Sequence, residues 1–175
     1  MPLEHLWATW RSAYVGQVVD SRTLPTSEEA DGRSLFERIL AGADEEGDAA
    51  VGVLWRGEHC FALLNLYPYT AGHLMVLPQR AVSELEGMAP DEHLELWTGV
   101  RDAVVALKTA FSCDGVNVGV NLGAAAGGSQ SDHLHVHCVP RWQGDANFIA
   151  VAAETRVLPI SLEEAGHRIR AAWPR

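Results

Sequence analysis

Lysine is almost missing from this chain of 175 residues. Of 13 basic side chains only Lys108 is a lysine, and 23 acidic ones outnumber them, for a formal net charge of −10. A general binder of nucleic acid needs a basic footprint, and this balance supplies none, so no nucleic-acid partner is expected. Cysteine is scarce as well. Cys60, Cys113 and Cys138 form no close pair, which argues against a disulfide framework and fits a reducing, cytoplasmic setting. No stretch approaches the ~20 uninterrupted apolar residues of a membrane helix. The opening MPLEHLWATWR lacks the basic start and apolar run of a secretory leader, so no membrane partner is expected either. Internal repeats and long low-complexity tracts are also lacking.

What remains is an ordinary globular composition, 47% apolar and 21% charged, in a length that suits a single domain with one buried core. Residues 1–49 read as an N-terminal arm, a loop and a short helix. Trp7, Trp10 and Tyr14 lie in the arm, residues 20–33 form the loop, residues 34–41 the helix, and residues 42–48 an acidic connector bounded by glycine. Residues 50–175 hold the core and a C-terminal segment. Strands are expected at 50–56 and 59–65, joined by a turn at Arg56-Gly57-Glu58, and at 73–78, where Pro78 ends the run. Residues 90–111 predict the longest helix, with Pro90 at its first position and Asp91 and Glu92 in the first turn. Leu94, Trp97, Val100, Val104, Leu107 and Phe111 recur three or four apart and predict its buried face. Strands at 116–121 and 133–139, a Gly/Ala/Ser-rich loop at 122–132 and a last helix at 161–173 complete an α+β domain, mostly antiparallel.

One strand stands out. Residues 133–139 read HLHVHCV, which puts His133, His135 and His137 on one face, with neighbouring Cα atoms about 7 Å apart. Cys138 continues the apolar side. Three readings stay open on these residues alone: incidental histidines on a partly exposed strand, a zinc site built from three imidazoles, or a nucleophilic imidazole whose neighbours orient it and move protons. The preceding small-residue loop lets backbone N–H groups approach phosphate oxygens, which favours a phosphate held beside a nucleophile. His73 and Asn65 each have a plain alternative, as a strand-start histidine bonded to its loop and as a turn cap before Tyr67-Pro68. Arg141 reads as the partner of a carboxylate rather than of a distal phosphate. Trp142 reads equally as a site residue or a surface anchor. His5, His59, His93 and His167 are expected at the surface.

The HLHVHCV segment resembles the His-φ-His-φ-His-φ-φ signature of the histidine triad (HIT) superfamily of nucleotide hydrolases and transferases. The segments FALLNLYPYTAGHLMVLP (61–78), EHLW (4–7), NVGVNLG (117–123) and VPRWQGDANF (139–148) are similar to its bacterial branch, which includes dinucleoside tetraphosphate phosphorylases. The resemblance covers most of residues 1–14 and 50–174. It implies a HIT-like sheet of about five strands with a long helix and a C-terminal helix. It also implies an enzyme that cleaves dinucleoside polyphosphates, diadenosine tetraphosphate first among them, at the α-phosphorus through a nucleotidyl-histidine intermediate.

On the same basis His135 matches the nucleophile, His137 the residue beside the leaving group, His133 the residue shaping the network behind them, and His73 a fourth histidine. Asn65 matches the ribose-binding position, and Leu63 and Leu66 match the base pocket. Asn121, Gly128, Ser129 and Gln130 match contacts around the phosphates, and Trp142 matches a tryptophan near the site. The implied acceptor is inorganic phosphate. Alternatives are water, in a hydrolase of dinucleoside polyphosphates, nucleoside phosphoramidates or adenylate esters, a metal-dependent enzyme, and a nucleotide sensor without turnover. No resident cofactor is implied, although Mg²⁺ can accompany the substrate phosphates. A homodimer formed around the long helix is implied as well.

Two departures accompany the match. Where many bacterial relatives carry a Cys-x-x-Cys pair for structural zinc, this chain has Ser34 and Glu37, so no zinc is expected there. Ser129 precedes Gln130, the reverse of the commoner order, which leaves open the side chain that meets the leaving group.

Overall fold

The computed structural model describes residues 32–127, 130–145 and 158–174. The expected N-terminal arm with Trp7, Trp10 and Tyr14, most of the 20–33 loop, His5, Gly128, Ser129 and the segment 146–157 lie outside the described residues.

Helix α1 runs Leu35–Glu46, longer than the helix read over 34–41. It starts at a capping box. The Ser34 side chain accepts the amide of Glu37, and the Glu37 carboxylate accepts the amide of Ser34, so two otherwise orphaned donors are satisfied. Strands β1 (Val53–Arg56), β2 (Cys60–Leu64) and β3 (Leu74–Pro78) follow as an antiparallel meander. Helix α2 (Pro90–Phe111) has the bounds that its proline start and apolar periodicity predict. Strands β4 (Gly115–Val120) and β5 (Val136–Arg141) and helix α3 (Leu162–Ala172) complete the order. The sheet is antiparallel throughout, in the order β1-β2-β3-β5-β4. The fold is thus the five-stranded α+β domain that the sequence predicts. Among the described residues no helix is long and apolar enough to cross a membrane.

Period-two alternation sorts the sheet into two faces. Ala62, Leu74, Val76, Val136 and Cys138 meet α2 and Ile169 of α3. Phe61, Leu63, Met75 and Leu77 meet Phe36, Leu40 and Ala43 of α1. Strand β3 is buried along its whole length because it is central and covered on both sides. The buried cysteines belong to this packing, and burial pushes the Cys60 and Cys138 thiols up to about 12.

The buried face of α2 differs from the expected one. Val100 and Leu107 are buried, but Leu94 is 71% exposed and Trp97 40% exposed. The sheet instead receives Leu96, Gly99, Val100, Ala103, Ala106 and Leu107. The reason is close approach: a Cβ on Gly99 would lie 3.0 Å from the Trp55 ring and 3.1 Å from Val76. Gly99, Ala103 and Ala106 let the helix approach the strands, and Leu94 and Trp97 on the adjacent flank are left exposed.

The turn before β3 depends on a glycine. Gly72 has φ +85°, and a Cβ there would come 2.4 Å from the Phe111 ring at the end of α2. Gly72→Ala combines a strained backbone with a steric clash and is expected to cost roughly 2 kcal/mol. In a domain of this size that is a fall of about 4–8 °C in Tm by thermal melting. An unchanged Tm would contradict the packing of Phe111 on this turn.

Candidate active site

Strand β5 lies between β3 and β4, and its register sets the site. His137 pairs with Met75 on β3 and Gly119 on β4, so it shares the face that α1 covers over β1–β3. Helix α1 stops short of β4, where Asn117 and Gly119 on this face are exposed. His137 is half-buried at the boundary, and Gly119 places no side chain against it. His133 and His135 precede the first paired residue, Val136, rather than lying within the strand as expected. They still share the side of His137. The His135 and His137 ring centroids are 4.9 Å apart, and Phe36 of α1 lies 5.3 Å from both the His133 and His135 rings.

The hydrogen-bond partners assign the ring protons, because a carbonyl only accepts and an amide N–H only donates. His135 Nδ1 lies 2.8 Å from the His133 carbonyl and therefore carries the hydrogen, so the lone pair of the neutral ring is on Nε2. His133 Nε2 donates to the Pro78 carbonyl at 2.8 Å, and the Ser34 hydroxyl lies 2.7 Å from Nδ1. His73 is fully buried, and its Nδ1 accepts the Tyr69 amide at 3.1 Å. Its Nε2 then donates to His137 Nδ1 at 3.0 Å. His137 consequently carries its hydrogen on Nε2. Burial, the largest influence on each triad ring, lowers the pKa of His133 and His135, and with the help of nearby His135 it lowers that of His137 to about 4. All three are neutral at pH 7. The arrangement thus offers one imidazole lone pair, on His135, beside one imidazole N–H, on His137.

The remaining expected residues divide. Asn65 is half-buried against His73, with Nδ2 3.3 Å from its Nδ1, while its Oδ1 also takes the Tyr67 amide at 3.0 Å, the turn-capping role. Asn121 follows the Val120–Val136 pair and so lies level with His135. Gln130 is half-buried in the loop before the histidines. Leu63 and Leu66 are not brought together: Leu63 is in the core beneath α1, and Leu66 is 63% exposed on the 65–70 loop. Trp142 lies past the far end of β5 with its ring edge-on to Phe111 at 6.5 Å. Arg141 makes a bidentate pair with Asp145 at 2.6 and 2.7 Å and reaches Asn117 at 2.8 Å, the carboxylate pairing that its sequence context predicts. His93 and His167 are exposed, and His59 is half-buried, 3.4 Å from Asp91.

Three contributors were not read as site residues. Tyr69 supplies the amide that orients His73, and its ring lies 4.6 Å from that imidazole. Phe36 packs on two triad rings. Ser34 bonds His133, and the Ser-x-x-Glu spacing at 34–37 is the sequence signal for its place at a helix start. Ser34 and Glu37 occupy the positions that the resemblance gives to zinc-binding cysteines. Neither is a thiolate, and their oxygens are committed to His133 and to the amides of Ser34, Glu37 and Ala81, so these residues do not fit a zinc ion.

The HIT domain family matches residues 47–144. An AP-4-A phosphorylase of Mycobacterium tuberculosis is 42% identical over 173 residues, which cover 99% of this chain and 86% of that protein. A bis(5'-nucleosyl)-tetraphosphatase (asymmetrical) of Schizosaccharomyces pombe is 38% identical over 93 residues, 53% of this chain and 50% of that protein. Among solved structures, a zinc-bound histidine triad family protein of Mycobacterium smegmatis aligns with a TM-score of 0.64 at 28% identity, covering 79% of this chain and 91% of that one. With three alternate imidazoles beside β5 and a family match across more than half its length, this chain belongs to the HIT domain family.

Proposed function

We propose that this protein cleaves dinucleoside polyphosphates, diadenosine tetraphosphate in particular, at the α-phosphorus and transfers the nucleotidyl group to inorganic phosphate. The observation that carries the reading is the bond from His135 Nδ1 to the His133 carbonyl, which leaves the Nε2 lone pair beside the His137 N–H. The likeness to an AP-4-A phosphorylase over nearly the whole chain supports the substrate and the acceptor.

In this scheme His135 Nε2 attacks the α-phosphorus. A P–N bond forms as the bond to the bridging oxygen breaks, and His137 Nε2–H protonates the departing ATP. Phosphate then attacks the same phosphorus, its proton returns to His137, ADP leaves, and His135 is regenerated. Splitting the transfer into two displacements lets each use the same positioned rings. His133 and His73 hold the other two in place. Asn65 serves the ribose, and Asn121, Gly128, Ser129 and Gln130 serve the phosphate and leaving-group side. No cofactor takes part beyond Mg²⁺ that arrives on the substrate. A cytoplasmic location belongs to the same reading, supported by three free thiols and a nucleotide substrate. Water as acceptor is the second reading, favoured by the tetraphosphatase relative.

A homodimer is also part of the proposal. Leu94, Trp97 and Val105 are exposed apolar residues on α2, and their exposure supports association there. Sedimentation at micromolar concentration is expected to give twice the mass of one chain, and a monomer would contradict it.

Incubation with diadenosine tetraphosphate and labelled phosphate should yield labelled ADP and an equal amount of ATP. AMP without labelled product would overturn phosphorolysis in favour of hydrolysis. His135→Ala is expected to lower turnover about 10⁴-fold or more. The pH dependence has a definite sign. Protonation removes the His135 lone pair, and burial shifts that event below the ordinary imidazole value near 6.5. The acid limb of kcat/KM for the dinucleotide should therefore have its midpoint below 6.5, and burial with nearby His135 lowers His137 to about 4. An acid limb centred on 6.5 or above would contradict the buried, neutral triad.

A further inference from the structure

Ser34 begins α1 and is buried, and two hydrogen bonds meet on its hydroxyl. The oxygen accepts the Glu37 amide at 3.2 Å and lies 2.7 Å from His133 Nδ1. On the other side of that ring, Nε2 lies 2.8 Å from the Pro78 carbonyl, which can only accept. Nε2 therefore carries the hydrogen. A neutral imidazole has one N–H, so Nδ1 is a lone pair and the hydroxyl donates to it. The Glu37 carboxylate is the competing acceptor near this hydroxyl. Although burial works to raise that carboxyl, the Ala81 and Ser34 amides that it accepts work to lower it, and Glu37 stays ionised. Its two oxygens already take the Ser34 amide at 2.8 Å and the Ala81 amide at 3.0 Å. Burial also keeps His133 neutral, so the ring has no second hydrogen to offer Ser34.

The consequence reaches His135, because the acceptor that orients His135 Nδ1 is the carbonyl of His133 itself. We propose that Ser34 is a positioning residue for nucleotidyl transfer: by donating to His133 Nδ1 it pins that residue against the Pro78 carbonyl and so holds the main-chain oxygen that aims His135 Nε2 at phosphorus. The proposal rests on the reading of His135 as the nucleophile. The first turn of α1 is built for such a role. Phe36 presses on both rings, and Glu37 ties the turn through Ala81 to the segment after Pro78. One residue further on, the Val82 carbonyl takes the Leu134 amide at 2.7 Å, between the two histidines. A residue that only capped a helix would need the Glu37 amide and nothing more.

The test compares Ser34→Ala, Ser34→Gly and Ser34→Thr with the wild-type protein by steady-state kinetics on diadenosine tetraphosphate and phosphate, with Tm recorded for each. Gly serves nearly as well as Ser as a helix cap but has no hydroxyl, whereas Thr keeps one. Ala and Gly are expected to lower kcat about 10- to 100-fold with KM little changed, and Thr to restore most of it. Folded Ala and Gly variants with wild-type kcat, or a Gly variant as active as Thr, would overturn the proposal. Long-range ¹H–¹⁵N correlation of the histidine rings in the ligand-free wild-type protein decides the matter independently of any variant's folding. His133 should show a hydrogen-bonded lone pair at Nδ1 and a proton at Nε2, and a proton at Nδ1 would overturn the proposal. The wild-type rate is measured first, so an absence of turnover identifies a failure of the parent reading rather than of the Ser34 contact.

Discussion

Four imidazoles are packed where a charge is costly, and the rest of the site follows from that constraint. A charged ring removed from water needs compensation that the apolar neighbours Phe36, Leu63 and Met75 do not give. The rings remain neutral, and each ring nitrogen that faces the protein must meet a partner of the right kind. An unsatisfied polar atom at such depth costs about 1–3 kcal/mol. The Pro78 and His133 carbonyls and the Tyr69 amide are partners of fixed sense, so they decide where the remaining protons lie. Burial and these partners together leave a lone pair on His135 Nε2 and an N–H on His137 Nε2.

The sheet makes this possible by being unevenly covered. Helix α1 shields β1–β3 on the histidine side and ends before β4, so His133 and His135 are buried while His137 stands at the margin. On the opposite side α2 and α3 pack the whole width, and Trp173 stacks on Trp55 at 5.7 Å to close the edge near β1. Thr70 bonds the Pro140 carbonyl at 2.8 Å and fixes the loop that carries Asn65 and Tyr69 against β5. Among the described residues the triad therefore lies at a seam between a half-sheet covered on both faces and a half that α1 leaves uncovered.

Much of this was legible in the residue pattern, and the parts that were not share a cause. Pro90 and the spacing after it marked α2 to the residue, and three histidines at alternate positions marked their shared side. Periodicity misassigns the face of α2 because Gly99, Ala103 and Ala106 carry little hydrophobic weight, yet all three are buried and Gly99 must be small where it meets Trp55 and Val76. The alternation at His133–His135 reads as strand because it persists where the ladder has already ended. Periodicity does not mark Ser34 and Phe36, which act across a sequence gap, Ser34 reaching His133 from 99 positions away, nor Tyr69, which acts through its main-chain amide. Periodicity reports which way a side chain faces along its own element, but it does not name what stands opposite.

Most of the partners that set the imidazole protons belong to the main chain. No substitution at position 78 or 133 can delete a peptide oxygen, and at position 69 only proline would delete the amide hydrogen. The division of labour between lone pair and proton donor is therefore inherited with the backbone path. Side chains lining the open half can be exchanged for other ligands or other leaving groups without rewriting it.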